Sequence, residues 1–372
     1  MSALSISNKS STLEYFLPCL NGPVKVRLDS NSSKSIQKSH KTFSHLLKNG
    51  EKIYGVTTGF GDLSSIPIDV NDQRKLQLNL IRSHATGVGK SFDPGITRII
   101  MLLKLLNWSK GVSGVRIKLV QLLKNFLNHD ILPEIPRQGS VGASGDLAPL
   151  AHMALPLIGE GLVNFQGRIM PAMLAMKEVG LEPITLEPKE GLSLINGTQV
   201  STAIAIKACI DAENILKVAD LSGAMSVEAS LSSRSVFKSE IHKLKGHPGQ
   251  RIVASNVWNL LDKSQIVLSH KNCDRLQDPY SFRCIPQVHG ISRENYKCVK
   301  EIVENEANSV SDNPLIMPNG KILNSGHFHA ESIAQSMDNL AIAIAEIGSI
   351  AERRIHYFMK GIDDYIPPFI AS

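Results

Sequence analysis

GSVGASGDLAPL, residues 139–150, is the stretch on which the reading of this chain turns. Glycines at 139, 142 and 145 break any helix, and Asp146 then stands where an N-cap residue would. From Leu147 to about residue 157 the apolar spacing is helical, with Pro149 in the first turn, where its missing N–H costs little. A tight glycine-punctuated loop feeding a helix amino terminus suits a plain turn or an anion nest. A nucleophile elbow around Ser140 or Ser144 is out of register, and no convincing strand precedes it.

The tripeptide Ala143-Ser144-Gly145 permits another chemistry. Attack of the Gly145 nitrogen on the Ala143 carbonyl closes a five-membered ring across Ser144. Loss of two waters, one of them carrying the Ser144 hydroxyl, leaves an exocyclic methylene. Gly offers the least hindered nitrogen, Ala leaves its carbonyl open, and Ser supplies the hydroxyl that departs.

Outward from the loop the chain reads as mainly helical. Residues 1–50 are rich in Ser and Lys, with a strand-like stretch at 24–28, and YGVTTGFG (54–61) reads as a loop. Helical spacing is expected over 72–88, 97–108 and 115–127. Hairpins are expected over 162–170, turning at Gln166-Gly167, and over 315–323, turning at Asn319-Gly320. Long helices are expected from 197 to about 231 and over 331–359, the latter Ala/Ile-rich as in buried bundles. The architecture is a loop-rich amino-terminal region, residues 1–200, followed by a helical bundle, residues 201–372.

Composition narrows the class. A hydrophobic share of 42% with 20% charged residues is that of a soluble globular chain. The net charge of +6 is densest from 234 to 251, where no aromatic platform is interleaved, so a solvated surface fits better than a nucleic-acid site. Five cysteines without a CxxC pair fit neither a disulfide framework nor a zinc ribbon. No targeting signal opens the chain and no apolar run could span a bilayer, so the cytoplasm is the expected location, with no membrane partner.

The longer string GSVGASGDLAPLAHMAL resembles the signature of the ammonia-lyases of the histidine/aromatic amino-acid family, which carry a self-formed 4-methylidene-imidazol-5-one (MIO). Further segments agree, in the family's order: YGVTTGFG with Tyr54, RSHATGVG with Ser83-His84, LSLINGTQ with Asn196, QDPYSFRC with Gln277, Tyr280 and Arg283, SDNPL with Asn313, and GHFHAE with Phe328. The resemblance covers the chain from about residue 20 to 372. It implies a long-helix bundle of the aspartase/fumarase-like type and MIO formed from Ala143, Ser144 and Gly145. It also implies a homotetramer acting on a small amino acid.

The implied reaction eliminates ammonia from an α-amino acid. By resemblance Tyr54 is the general base and Tyr280 lines the same site, while Asn196, Gln277, Asn313 and Phe328 surround the substrate. Arg283 would clamp the carboxylate, to which its forked guanidinium is matched. Ser83-His84 resembles the histidine-specific members, so the implied conversion is L-histidine to trans-urocanate. A phenylalanine or tyrosine ammonia-lyase or an aminomutase is the nearest alternative. His327 and His329 alternate as on one face of a strand and could invite a metal with His289, but no carboxylate completes the set, and no metal is expected. Relatives often carry Asn at the place of His327. Full-length relatives also continue beyond the point where this sequence stops, Ser372, and that tail supplies an active-site glutamate. A fragment of a longer enzyme and a short, inactive paralogue serving as an assembly subunit are both compatible with that ending.

Overall fold

The computed structural model describes residues 3–270, 275–362 and 367–370. Cys273 lies outside the described residues, and Cys19, Cys284 and Cys298 are free thiols. The chain forms two compact units: Met1–Lys207 with Val303–Ala334, and Ala208–Ile302 with Gln335–Ser372. Both are mainly helical.

The first unit is built around the helix Pro94–Ser109, in which every residue from Ile96 onward is buried. Its apolar run IIMLLKLLNW explains that burial, apart from Lys104, which is wholly buried as well. The amphipathic helix Ile117–His129 packs its Leu119, Val120, Leu123 and Phe126 inward. It ends at Asp130, in the left-handed conformation, whose carboxylate pairs with both Nε and Nη2 of Arg98 (2.7 and 2.9 Å). The hairpin Leu162–Phe165/Arg168–Pro171 turns at Gln166-Gly167, where both residues have positive φ, as a tight two-residue turn requires. The short pair Leu315–Ile316/Ile322–Leu323 forms as read.

Several helices escaped the sequence reading, two of them long. Ser30–Lys48 is a 19-residue helix, although its serines favour other conformations. It is held by the Asp29 carboxylate, which accepts from Ser32 N at 2.6 Å, and by a buried stripe of Ser32, Ile36, Ser39 and Phe43. In the second unit Ile285–Ala307 is a 23-residue helix carrying a glycine in its body. That glycine is a packing requirement: a Cβ on Gly290 would stand 2.5 Å from Gln250 N. The helix expected over 72–88 ends at His84, and Val88–Ser91 is instead a strand, antiparallel to Pro136–Gln138.

The second unit contains the long helices Gln199–Ala229, Ile285–Ala307 and Glu331–Met359 for most of their lengths, together with Pro248–Leu260. Its core includes Val227, Phe237, Val253, Val257, Phe282, Ile285 and Ile350. A buried carboxylate ties three helices together: Asp220 accepts from Asn256 Nδ2 (2.8 Å), His289 Nδ1 (3.0 Å) and Arg293 Nη2 (2.8 Å). Ser292 Oγ donates to Ala343 O at 2.8 Å, linking a fourth. Among the described residues no helix is long and apolar enough to cross a membrane.

Candidate active site

The loop at residues 139–146 lies in the first unit, exposed at Ala143 and Ser144 and buried at Gly145 and Asp146. The backbone doubles back so that Ala143 and Gly145 are bridge partners across Ser144. Gly142 and Gly145 have φ near +71° and +83°, a region costly for a side chain with Cβ. A Cβ on Gly145 would lie 2.8 Å from Gly197 O, 3.1 Å from Gly197 N and 3.3 Å from the Phe328 Cβ. Gly145 is therefore seated between the segment carrying Asn196 and the one carrying Phe328. The sequence reading nominated all three without saying how they meet.

Asp146 holds this seat. It occupies the N-cap position of Leu147–Ala154 but makes no side-chain cap there. Its Oδ2 accepts from Val200 N (2.9 Å) and Ser201 N (2.8 Å), and its Oδ1 accepts from Ser201 Oγ (2.6 Å) and Ser140 Oγ (2.7 Å). The carboxylate thus caps the neighbouring 31-residue helix Gln199–Ala229 rather than its own. Its own N–H donates to Gly197 O at 2.8 Å. The local cap expectation is corrected: Asp146 is a tertiary cap.

Behind the loop lies a buried polar layer. Asn196 Nδ2 donates to Asn313 O (3.0 Å), and Asn313 Oδ1 accepts from Ser325 N (2.7 Å). Asp312 Oδ2 accepts from Lys189 Nζ (3.2 Å) and Ser193 Oγ (2.8 Å), and Trp108 Nε1 donates to that same Ser193 Oγ (2.9 Å). Lys104 Nζ donates to Ser193 O (3.1 Å) and Asn196 O (2.7 Å). Burial pushes the Lys104 amine down to about 7, against the opposing pull of Asp312 and Asp146. Burial also lowers Lys189, again opposed by Asp312. The sequence reading passed over Lys104, Lys189 and Asp312, and took Asp146 only as a local helix cap. A lone lysine inside an apolar helix was the available signal.

Tyr54 is half-buried, its ring edge-on to Phe60, and its hydroxyl accepts from Gly61 N at 3.0 Å. Buried Gln77 fastens its loop: Nε2 donates to Gly55 O (2.9 Å) and Oε1 accepts from Leu192 N (2.9 Å). That ties Tyr54 to the short helix Glu190–Ile195, which ends at Asn196. Ser83 is exposed and His84 half-buried at the carboxyl end of Gln73–His84. His84 Nδ1 lies 2.8 Å from Leu80 O and must donate to it, which leaves Nε2 as the lone-pair nitrogen of the neutral ring. A few residues on, Gly87 N donates to His152 Nε2 at 3.0 Å, and burial lowers the His152 pKa, favouring the neutral acceptor.

The second unit carries Gln277, Tyr280 and Arg283. Gln277 and Tyr280 are exposed. The Arg283 guanidinium stacks over the Tyr280 ring, 4.5 Å from Cζ to centroid, and its Nε is buried with no partner among the described residues. Phe282 anchors the turn, edge-on to Tyr357 at 5.1 Å.

The histidines around Phe328 are not on a strand. Residues 327–328 form a turn, and His329 Nδ1 accepts from Glu331 N at the start of Glu331–Met359. His327 and His329 belong to the first unit and His289 to the second. Among the described residues no group of three or more metal-ligating side chains occurs.

A family model described as aromatic amino acid lyase matches residues 12–372. The chain belongs to that family. Within it, this sequence is similar to the histidine ammonia-lyases of Photorhabdus laumondii and Yersinia enterocolitica. The first is 44% identical over 374 residues, spanning 100% of this chain and 73% of that protein. The second is 46% identical over 352 residues, spanning 94% and 69%. The solved histidine ammonia-lyase of Trypanosoma cruzi superposes with a TM-score of 0.89 at 35% identity, over 99% of this chain and 70% of that one. A tyrosine aminomutase of Streptomyces globisporus superposes with 0.92 at 33% identity, over 99% and 73%.

Proposed function

We propose that the chain is a carbon–nitrogen lyase that eliminates ammonia from L-histidine to give trans-urocanate, with MIO formed from Ala143, Ser144 and Gly145. The observation that carries the reading is the seat of Gly145 against Gly197 and Phe328, with Ala143 and Gly145 paired across an exposed Ser144. The loop fits the group: the residue whose nitrogen must attack is a buried glycine at positive φ, where a larger residue would collide. When formed, MIO supplies an electrophilic carbon that takes up the substrate amine and makes it a better leaving group.

The chain's own residues have the remaining tasks. Asn196, whose Nδ2 is held by Asn313 O, orients charge developing at the loop through its second amide N–H. Tyr54 takes the β-hydrogen, its hydroxyl already held by the Gly61 N–H. Asn313 and Phe328 belong to the binding set on the loop's own unit. Gln277, Tyr280 and Arg283 are assigned to the substrate by resemblance alone, Arg283 to its carboxylate; among the described residues its Nε has no acceptor. His84, with Nδ1 committed to Leu80 O, offers the Nε2 lone pair to an imidazole N–H. A phenyl ring would leave that nitrogen unpaired, which favours histidine over phenylalanine or tyrosine. The intact protein works as a cytoplasmic homotetramer that needs no metal.

Two measurements test this. The peptide spanning residues 143–145 should weigh about 36 Da less than its sequence, the two waters that a serine-derived electrophile requires. Urocanate should accumulate from histidine in a panel that includes phenylalanine and tyrosine. An unmodified peptide would sink the reading. Turnover of an aromatic amino acid in preference to histidine would replace the substrate.

A further inference from the structure

Lys104 is a buried ionisable group that the reaction above does not use. It stands in a helix whose other residues from 96 to 109 are buried, and it is itself fully inaccessible. An aliphatic side chain there would fill the same space without taking an amine out of water, a cost of several kcal/mol unless strong partners offset it. Its hydrogen bonds go to Ser193 O and Asn196 O, carbonyls at the end of the helix Glu190–Ile195 that lack intrahelical partners. Two N–H groups suffice for two carbonyls, so the neutral amine already satisfies both.

The Asn196 carbonyl is one side of the Asn196–Gly197 peptide. The other side, Gly197 N, faces the Gly145 seat, and the next carbonyl, Gly197 O, accepts from Asp146 N. One anchored peptide therefore sets three things: the Asn196 side chain, the wall against Gly145, and the hydrogen bond that closes the loop. We infer that Lys104 is a positioning residue for the electrophile loop, fixing the Asn196–Gly197 peptide against which Ala143, Ser144 and Gly145 react. The inference rests on the lyase reading. A shift of about 1 Å in such a wall can cost on the order of a hundredfold in rate.

The test compares the wild-type chain with Lys104→Met and Lys104→Gln, reading the mass of the 143–145 peptide, kcat and KM, and thermal unfolding. For Lys104→Met the dehydrated fraction should fall at least tenfold, or, where the ring still forms, kcat should fall about a hundredfold with KM little changed. Gln keeps an N–H donor and should restore much of the dehydration. A purely structural lysine would lower the unfolding temperature in both variants and leave dehydration and kcat per folded molecule untouched, which overturns the inference. If the Met variant does not fold, Lys104→Ala, which also lacks the donor, is read in its place: dehydration and kcat per folded molecule equal to wild type count against positioning, and a tenfold or larger fall in either supports it. A wild-type chain with no mass loss would sink the lyase reading and this inference with it. A wild type and a Lys104→Met variant that dehydrate equally, with equal kcat, remove only the inference.

Discussion

At the scale of single atoms, the proposed choice of ring rests on His84. Its Nδ1 is committed to Leu80 O at 2.8 Å, which makes Nε2 an acceptor as long as the ring is neutral. His84→Leu keeps much of the volume and removes that acceptor, so a bound imidazole would lose one hydrogen bond. The expected outcome is a fall of roughly ten- to a hundredfold in kcat/KM for histidine, with relative gain for phenylalanine. Steady-state kinetics on both amino acids would check it, and equal losses on the two would show that His84 does not select the ring. The dipeptide was legible in RSHATGVG, but the tautomer was not, because it depends on where the Leu80 carbonyl points.

Between elements, the transferable lesson is Asp146. A sequence reading assigns a carboxylate just before a helix to that helix, since N-caps are local. Here the folded loop turns the carboxylate onto Val200 N and Ser201 N instead. The residue that closes the loop at 139–146 thus also starts a 31-residue helix running into the second unit. Asp146→Ala removes the acceptor for two backbone N–H groups and two hydroxyls. A loss of about 2 kcal/mol or more is expected, at or above the top of the usual range for a cap. Urea unfolding of the two proteins measures it, and an unchanged midpoint would mean that the helix start is satisfied in another way. Gln77 makes the same kind of join between the Tyr54 loop and the helix leading to Asn196. Neither join has a sequence signature, because each links segments far apart in the chain.

For the whole molecule, buried ionisable groups set the dependence of stability on pH. The Lys104 amine titrates at about 7 in the folded chain, well below its ordinary value of about 10.4. Between those values the unfolded chain binds a proton that the folded chain does not. Stability therefore rises with pH above about 7 and is lost as pH falls through it. Lys189 acts in the same direction. Cys19 acts in the opposite one: burial pushes its thiol up to about 12, so stability falls once the pH passes the ordinary thiol range. Half-buried Tyr15, raised by desolvation, adds to that fall at higher pH still. The thermal midpoint should climb from pH 7 to about pH 9 and then flatten or decline, and the climb should shrink in Lys104→Met. Scanning calorimetry across that range is the check. A midpoint that falls from pH 7 to 9 would contradict the assignment.

What the sequence determined by itself was chemical and periodic. The tripeptide Ala143-Ser144-Gly145, the ordered motifs around it and the apolar spacing of the long helices were enough for the family and the mainly helical class, and they nominated the candidate site residues. These are properties of residue type and local order, which survive without coordinates. Only the tertiary structure decided which helix Asp146 caps, why Gly145 and Gly290 must lack a Cβ, and that Lys104 points its amine at Asn196 O. It also decided that residues 303–334 fold with the first unit rather than with the helices on either side of them in the chain. Hydrogen-bond acceptors and steric walls supplied from distant parts of the chain leave no periodic trace, and they come into being only when the chain closes on itself.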